Sequence, residues 1–246
     1  MAFTYEYPRP ALTVDCVVFG FDSEDATNPL KVVLIKRAGE PFKGQWALPG
    51  GFVDVSDEGT QGESLEDAAR RELEEETGLR ISYLEQLYTF GAPGRDPRGR
   101  VVSASYFALV RTRDHLANAG SDASEARWFA VAEVLKKDLA FDHHDILATA
   151  VNRLQGKVRY APVGFNLLAK RFTLPELQAL YEALLGKTLD KRNFRRIVCR
   201  PLQDKGVIVA EDLTKKTRRP GPAAQLYKFD KRAYDKAVRQ GFNFEI

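Results

Sequence analysis

The chain has 246 residues, 44% hydrophobic, 11% aromatic and 29% charged, with a formal net charge of +3 at pH 7. This fits one large or two small globular domains and excludes a disordered chain; no apolar run reaches the ~20 residues that span a bilayer and residues 1–10 lack a signal-peptide core, so the expectation is a cytoplasmic protein with no membrane partner. The net charge conceals a division, because residues 1–156 carry 17 Lys and Arg against 25 Asp and Glu while residues 157–246 carry 20 against 9, which predicts two domains with those limits and a polyanion as partner of the second.

Short β-branched runs at Leu12–Phe19 and Lys31–Lys36 predict the first strands. Arg37, Phe42, Lys43 and Trp46 follow just before the glycine pair Gly50-Gly51 and are candidate pocket residues; Phe42 and Trp46, four apart, could equally form a small hydrophobic plug. From Asp54 to Gly62 the chain is rich in Asp, Ser, Gly and Thr and reads as a surface loop.

Residues 65–77 predict a helix, with Ser64 and Asp67 in a capping pattern and Gly78 where a left-handed residue closes the helix. Leu65, Ala69 and Leu73 give it an apolar stripe to bury. Glu72, Glu75 and Glu76 fall at i, i+3 and i+4 and project within an arc of roughly 100°. Three carboxylates so placed repel one another unless a cation lies between them, and hard divalent ions bridge protein carboxylates to phosphates. A solvated charge run is the alternative for an acidic triplet taken alone.

Glu63 followed, after seven residues, by Arg71-Glu72-Leu73-Glu74-Glu75-Glu76-Thr77-Gly78-Leu79 resembles the Nudix box, and the lead-in Trp46–Val53 belongs to the same resemblance. It implies an α/β/α sandwich and a Mg²⁺-dependent hydrolase, Mn²⁺ being the alternative ion. Gly51 (by its carbonyl), Glu72, Glu75 and Glu76 would be metal ligands, and Arg71 would hold the carboxylates. The departure is the spacing: eleven residues separate Gly51 from Glu63 where the box has five, which bears on where the Gly51 carbonyl lies. Loop lengthening adds closure entropy only logarithmically, so the helix should survive it.

Further along, Tyr88–Arg100 sets arginines among turn residues beside two aromatics. It is similar to the corresponding segment of ADP-ribose-binding Nudix proteins, which implies Phe90, Arg95 and Arg98 as substrate contacts, with Arg37 and Trp46 in the same pocket and ADP-ribose or a related nucleoside diphosphate as ligand. The alternative is a charged turn with Asp96 paired to a neighbouring arginine. Strands are predicted at Val101–Val110 and Arg127–Phe129, and helices at Val131–Lys137 and His143–Gln155. Glu125, at the entry to the strand, is the candidate general base by family analogy. Cys16, Cys199 and His143-His144 have no zinc-like spacing, and the two cysteines read as buried.

Beyond a boundary between Gln155 and Phe172, Thr173–Glu176 begins a helix as a capping box, its apolar face runs to Leu185 and Gly186 ends it. Asp190 caps a second helix, with Phe194, Ile197 and Val198 as its core stripe, Pro201 as its end, and Lys191, Arg192, Asn193, Arg195, Arg196 and Arg200 on the other face. Two strands, Gly206–Ala210 and Gln225–Phe229, flank a tip holding Lys215, Lys216, Arg218 and Arg219. Helix, basic helix and basic-tipped hairpin make the layout of an α+β winged helix that binds double-stranded DNA.

Phe172–Arg196 also resembles the C-terminal domain of the Nudix-related transcriptional regulators of NAD metabolism, which extends the resemblance to nearly the whole chain. It implies an ADP-ribose-responsive regulator acting as a homodimer. Several such regulators have lost residues of the box, whereas Glu63, Arg71, Glu72, Glu75 and Glu76 are all present in this sequence. A related group of sugar-responsive regulators shares the architecture, and a dedicated ADP-ribose pyrophosphatase with a supporting C-terminal domain is the rival reading.

Overall fold

In the computed structural model the described residues are 6–55, 62–112, 123–215 and 223–245. They belong to two compact units, Met1–Gly20 with Lys31–Asn152, and Phe21–Leu30 with Arg153–Ile246.

The first unit is built on one seven-stranded sheet. Its strands are β1 (Ala11–Phe21), β2 (Leu30–Arg37), β3 (Trp46–Ala47), β4 (Gly50–Phe52), β5 (Leu84–Phe90), β6 (Val101–Arg111) and β7 (Ala123–Ala130), arranged β3-β2-β1-β6-β5 with β4 on β1 and β7 on β2. Central β1 is buried from Thr13 to Phe21, which accounts for its near-continuous apolar sequence. Helix α1 (Leu65–Thr77) lays Ala68, Ala69 and Leu73 against Val14, Cys16 and Val18 of β1, Val33 of β2 and the alternate residues Ala104, Tyr106, Ala108 and Val110 of β6.

Both ends of α1 are set locally. Ser64 Oγ accepts from the Asp67 N–H at 3.1 Å, and Gly78, at φ 68°, donates to the Glu74 carbonyl. Leu65, the first residue of the predicted stripe, is only partly buried. The long connection before α1 is closed at its base: the Asp54 N–H donates to Glu63 Oε1 at 2.8 Å and the Glu63 N–H to the Asp54 carbonyl at 3.2 Å. Residues 56–61 of the predicted insertion lie outside the described residues.

Strands β3, β4 and β5 went unread in the sequence. The first two are short, and β5 pairs antiparallel with β6 through a register shift between Gln86 and Tyr88 that breaks its alternation. Helix α2 (Val131–Val134) stops three residues before the predicted end, whereas α3 (His143–Lys157) runs two residues further.

In the second unit, a 3₁₀ turn at Pro162–Leu167 precedes α4 (Leu174–Leu185). Thr173 and Glu176 form the expected reciprocal capping box, and Gly186 closes the helix at φ 64°. The second helix begins at Asp190, whose side chain accepts from the Asn193 N–H at 2.8 Å. It does not end at Pro201. α5 (Lys191–Phe194) passes through a π turn at Arg195–Cys199 into α6 (Arg200–Asp204).

The Arg200 N–H there reaches the Arg195 carbonyl, five residues back. A proline ring in an α-helix collides with the carbonyl four residues before it, and the wider turn immediately ahead of Pro201 accommodates that ring. The turn also moves Ile197 off the apolar stripe: Phe194, Val198, Cys199 and Leu202 are buried, while Ile197 is 49% exposed.

Strands β8 (Ile208–Lys215) and β9 (Ala224–Phe229) form the hairpin, and Phe172 adds a bridge to Tyr227 through two backbone hydrogen bonds. A further helix, α7 (Lys231–Arg239), had no sequence prediction; Asp230 caps it. Phe244 beyond it packs 6.2 Å from Tyr181 of α4.

Candidate functional site

One cleft of about 690 Å³ in the first unit gathers side chains from β1, β2, β4, α1, the β5–β6 connection and the start of α3. That volume lies in the range of small-molecule sites. Glu72, Glu75 and Glu76 line one part of it, while Arg37, Arg95, Arg98, Phe52 and Phe141 line another.

Arg71 is the hub of the acidic part. Its guanidinium grips Glu63 through two bonds of 3.1 and 2.6 Å, and its Nη1 lies 2.9 Å from Glu72 and 3.1 Å from Glu75. A fifth bond of 3.1 Å reaches the Phe52 carbonyl of β4. This fixes α1 to the glycine strand and raises the Arg71 pKa, first through Glu63, whose own pKa Arg71 lowers. Glu72 moves the opposite way: burial pushes its pKa up and outweighs the Arg71 contact.

Glu76 is only 6% exposed and accepts from the Gly50 N–H at 2.8 Å. Gly50 is required by space, and Gly51 lies close against Glu72. A Cβ on Gly50 would lie 2.2 Å from the Val14 carbonyl oxygen, and one on Gly51 would lie 2.3 Å from Glu72 Oε1. Gly51 therefore stays against the box carboxylates despite the long insertion, because that insertion is clamped at its base.

Among the described residues, no three carboxylate, imidazole or thiol groups already converge as a metal centre. Glu72 and Glu75 converge instead on Arg71, which supplies positive charge between them. The donor set is wholly hard oxygen, from Glu72, Glu75, Glu76 and the Gly51 backbone, and its chemistry suits a hard divalent cation.

Beside it lies a buried network whose members are far apart along the chain. Asp15 of β1 accepts from Ser103 Oγ at 2.5 Å and from Arg95 Nη2 at 3.1 Å, and lies 3.3 Å from His143 Nε2. Arg95 is also held by both oxygens of Asp142, at 2.7 and 2.8 Å. The Leu48 N–H donates to His143 Nδ1 at 2.8 Å, so the ring proton resides on Nε2 and faces Asp15.

Burial would raise the Asp15 pKa, but His143, Ser103 and Arg95 together outweigh it and hold the carboxyl at about 2. A carboxyl held below its unfolded value stabilises the fold above that value and loses the contribution as pH falls through the folded one. From 3.8 to about 2 this is about 2 kcal/mol, present above pH 4 and lost towards pH 2. Denaturant unfolding between pH 5 and pH 2.5 is expected to show a shallower acid loss in Asp15→Asn than in the wild type; equal slopes would refute the assignment.

The structure revises several predicted roles. Arg95 lines the cleft, but its side chain is 4% exposed and committed to two carboxylates, so it braces the wall. Arg98 pairs with Asp96 through bonds of 2.7 to 3.2 Å, as the charged-turn alternative had it, and still lines the cleft with its guanidinium 5.0 Å from the Phe52 ring and 5.6 Å from that of Phe141. The Arg37 guanidinium lies 4.8 Å from the centre of the Phe141 ring and donates to the Pro41 carbonyl; burial lowers its pKa first, and proximity to Arg98 adds to the effect.

Trp46, Phe90 and Glu125 are not among the cleft-lining residues. Trp46 packs edge-on against Phe129 at 4.6 Å, Phe90 stands against Tyr88 on β5, and Glu125 on β7 is engaged by Arg127. Sequence reasoning missed Asp15, Phe52, Phe141, Asp142 and His143. Phe141 has φ of 54°, a left-handed conformation a bulky residue adopts only under constraint, and such constraint clusters at functional sites.

In the second unit Lys191, Arg192, Asn193, Arg195, Arg196 and Arg200 are all exposed on the α5–α6 helix. Arg196 makes one 3.4 Å bond to Asn193, and Arg200 lies 3.9 Å from Asp204. Among the described residues Arg192 and Arg195 have no ion-pair partner. Lys215 ends β8, and Lys216, Arg218 and Arg219 lie outside the described residues.

Comparison with known proteins finds a match to the NUDIX domain over residues 9–150 and to the NrtR DNA-binding winged helix domain over residues 164–229. The chain is similar to the ADPR responsive transcriptional repressor NtrR of Acinetobacter baylyi, at 40% identity over 240 residues, 97% of this chain and 87% of that protein. It is also 40% identical over 141 residues to an ADP-ribose pyrophosphatase of Methanocaldococcus jannaschii, covering 57% of this chain and 73% of that one. Among solved structures, Shewanella oneidensis NrtR in complex with a 27mer DNA superposes with a TM-score of 0.75 at 35% identity, covering 95% of this chain and 97% of its own.

Proposed function

Because this chain belongs to the Nudix family and carries an NrtR-type winged-helix domain, we propose that it is an ADP-ribose-responsive transcriptional repressor whose Nudix domain also hydrolyses ADP-ribose to AMP and ribose 5-phosphate. The observation that carries the reading is the cleft itself: Arg37 and Arg98 both lie over the Phe141 ring, in the cleft that the box carboxylates also line. Two cations flanking an aromatic suit a diphosphate joined to a ring-bearing group.

Glu72, Glu75 and Glu76, with the Gly51 carbonyl, would hold a divalent ion, Mg²⁺ or Mn²⁺ in this proposal. When bound, such an ion neutralises phosphate oxygens and stabilises the charge that builds up as a phosphoanhydride breaks. The chain's own groups do the rest. Arg37 and Arg98 hold the diphosphate, Phe141 and Phe52 pack on the attached groups, and Arg71 keeps Glu63, Glu72 and Glu75 in register. Glu125, engaged by Arg127 on β7 and outside the cleft lining, is not retained as the group that accepts a proton from attacking water.

The winged helix is proposed to bind double-stranded DNA as a homodimer in the cytoplasm, with Lys191, Arg192, Asn193, Arg195 and Arg196 in the major groove and Lys215, Lys216, Arg218 and Arg219 on the phosphates. The domain limits proposed are residues 1–156 and 157–246. Loss of Asn193 or Arg195 is expected to cost about 1 to 3 kcal/mol on the cognate duplex, whereas each wing substitution flattens the salt slope by about one. Fluorescence anisotropy with the chain's own upstream DNA, a scrambled duplex, and both again with ADP-ribose provides the test. The repressor reading fails if neither duplex binds at low salt, and the ligand assignment fails if ADP-ribose leaves binding unchanged.

A further inference from the structure

The apolar stripe read from the sequence puts Ile197 in the core, one turn after Phe194, but the structure puts it outside. Phe194 and Val198 are 4% and 3% exposed, Cys199 is buried at 1%, and Ile197 between them is 49% exposed. The cause is the π turn at Arg195–Cys199, which sets one additional residue into the turn ahead of Pro201. Cys199 thereby takes the buried place, and Ile197 is displaced to the surface that carries Asn193 and Arg196.

An isolated exposed isoleucine is ordinary on a protein surface. Here it shares its helix, the one proposed to enter the major groove, with Arg192, Asn193, Arg195 and Arg196, all exposed, and Asn193 lies one turn before it. Guanidinium and amide groups read the hydrogen-bonding edges of guanine and adenine, whereas the apolar group displayed in that groove is the 5-methyl of thymine. A branched aliphatic side chain among arginines has the chemistry to meet that methyl and has no polar group to spend on anything else.

We infer that Ile197 reads a thymine 5-methyl group in the cognate DNA, and that the π turn ahead of Pro201 is the backbone device that turns it to face the groove. The inference rests on the DNA-binding reading above. Ile197 acts by shape and apolar contact, so it selects thymine at one position without adding to non-specific affinity.

The test begins with a duplex selected from a random library by the full-length wild-type chain, in which each thymine is replaced in turn by deoxyuridine, removing only the methyl. Burial of one methyl group corresponds to about a fourfold change in affinity, so one replacement is expected to weaken wild-type binding by about that factor. In Ile197→Ala the same replacement should change affinity by less than about half as much, while Ile197→Val restores the sensitivity. Scrambled duplex should bind all three proteins alike, and thermal melting should show them equally folded, since the side chain is half exposed.

A wild type insensitive to every deoxyuridine replacement, or an Ile197→Ala variant that keeps the full sensitivity, would overturn the inference. So would a variant altered only in its self-association, which would assign the residue to a contact between copies. If the wild type selects no duplex at all, it is the DNA-binding reading that fails, and this inference falls with it.

Discussion

Glu76→Gln is expected to lower ADP-ribose hydrolysis by about a hundredfold or more, an effect of about 3 kcal/mol on the barrier, with Glu75→Gln close behind. The substitution keeps the shape of the side chain and its bond from the Gly50 N–H, but removes a charge from the oxygen set that would hold the divalent ion. Glu76 should be the more sensitive because it is buried, whereas the Glu75 side chain is half exposed and can be replaced in part by water. Phosphate released from the products by a phosphatase gives the rate, with Mg²⁺ and Mn²⁺ supplied in turn. If the folded wild type is as inactive as both variants under every condition, the domain is a sensor without hydrolysis, and the DNA-binding half of the proposal stands unaffected.

Arg95→Ala is expected to destabilise the first unit by about 3 to 5 kcal/mol, the range for removing one partner of a buried ion pair. Asp15 and Asp142 would each lose their arginine partner. Arg98, three residues further on, is far more exposed, although its single partner Asp96 is buried: Arg98→Ala is expected to destabilise the unit by less than Arg95→Ala, which strands two carboxylates, while weakening ADP-ribose binding. Chemical denaturation followed by tryptophan fluorescence, alongside calorimetric titration with ADP-ribose, separates the two. Equal stability of Arg95→Ala and wild type would mean that the bidentate contact with Asp142 is not what holds the β5–β6 connection.

What could be read from the sequence was what is decided within a few residues. Helix α1 and its box carry their own caps, stripe and carboxylate spacing, and α4 carries a complete capping box, so both elements were read with their limits. Asp15, Ser103 and His143 were invisible because Asp15 meets residues 88 and 128 positions away, and nothing near Asp15 marks it as anything but a polar residue in a strand. Arg95 and Arg98 looked equivalent in the turn. Only the folded chain distinguishes the one sealed between two aspartates from the one open to the cleft. Trp46, Phe90 and Glu125 were candidates by proximity along the chain and by family analogy, and in the fold their side chains meet Phe129, Tyr88 and Arg127. Ile197 was misplaced for a different reason: the 3.6-residue period assumes an unbroken helix, and Pro201 breaks that assumption one turn before its own position.

The clamp at the base of the insertion gives the protein a usable handle. Asp54 and Glu63 are tied to each other by two hydrogen bonds, and Glu63 is tied to Arg71, so the path between them can change in length while its two ends stay where the box needs them. A small fluorophore or a short epitope spliced in after Val55 would therefore leave Asp54 and Glu63 joined and helix α1 unchanged. Such a graft would turn the insertion into a built-in reporter, with a signal that follows ADP-ribose occupancy in real time while the same molecule is held on immobilised DNA.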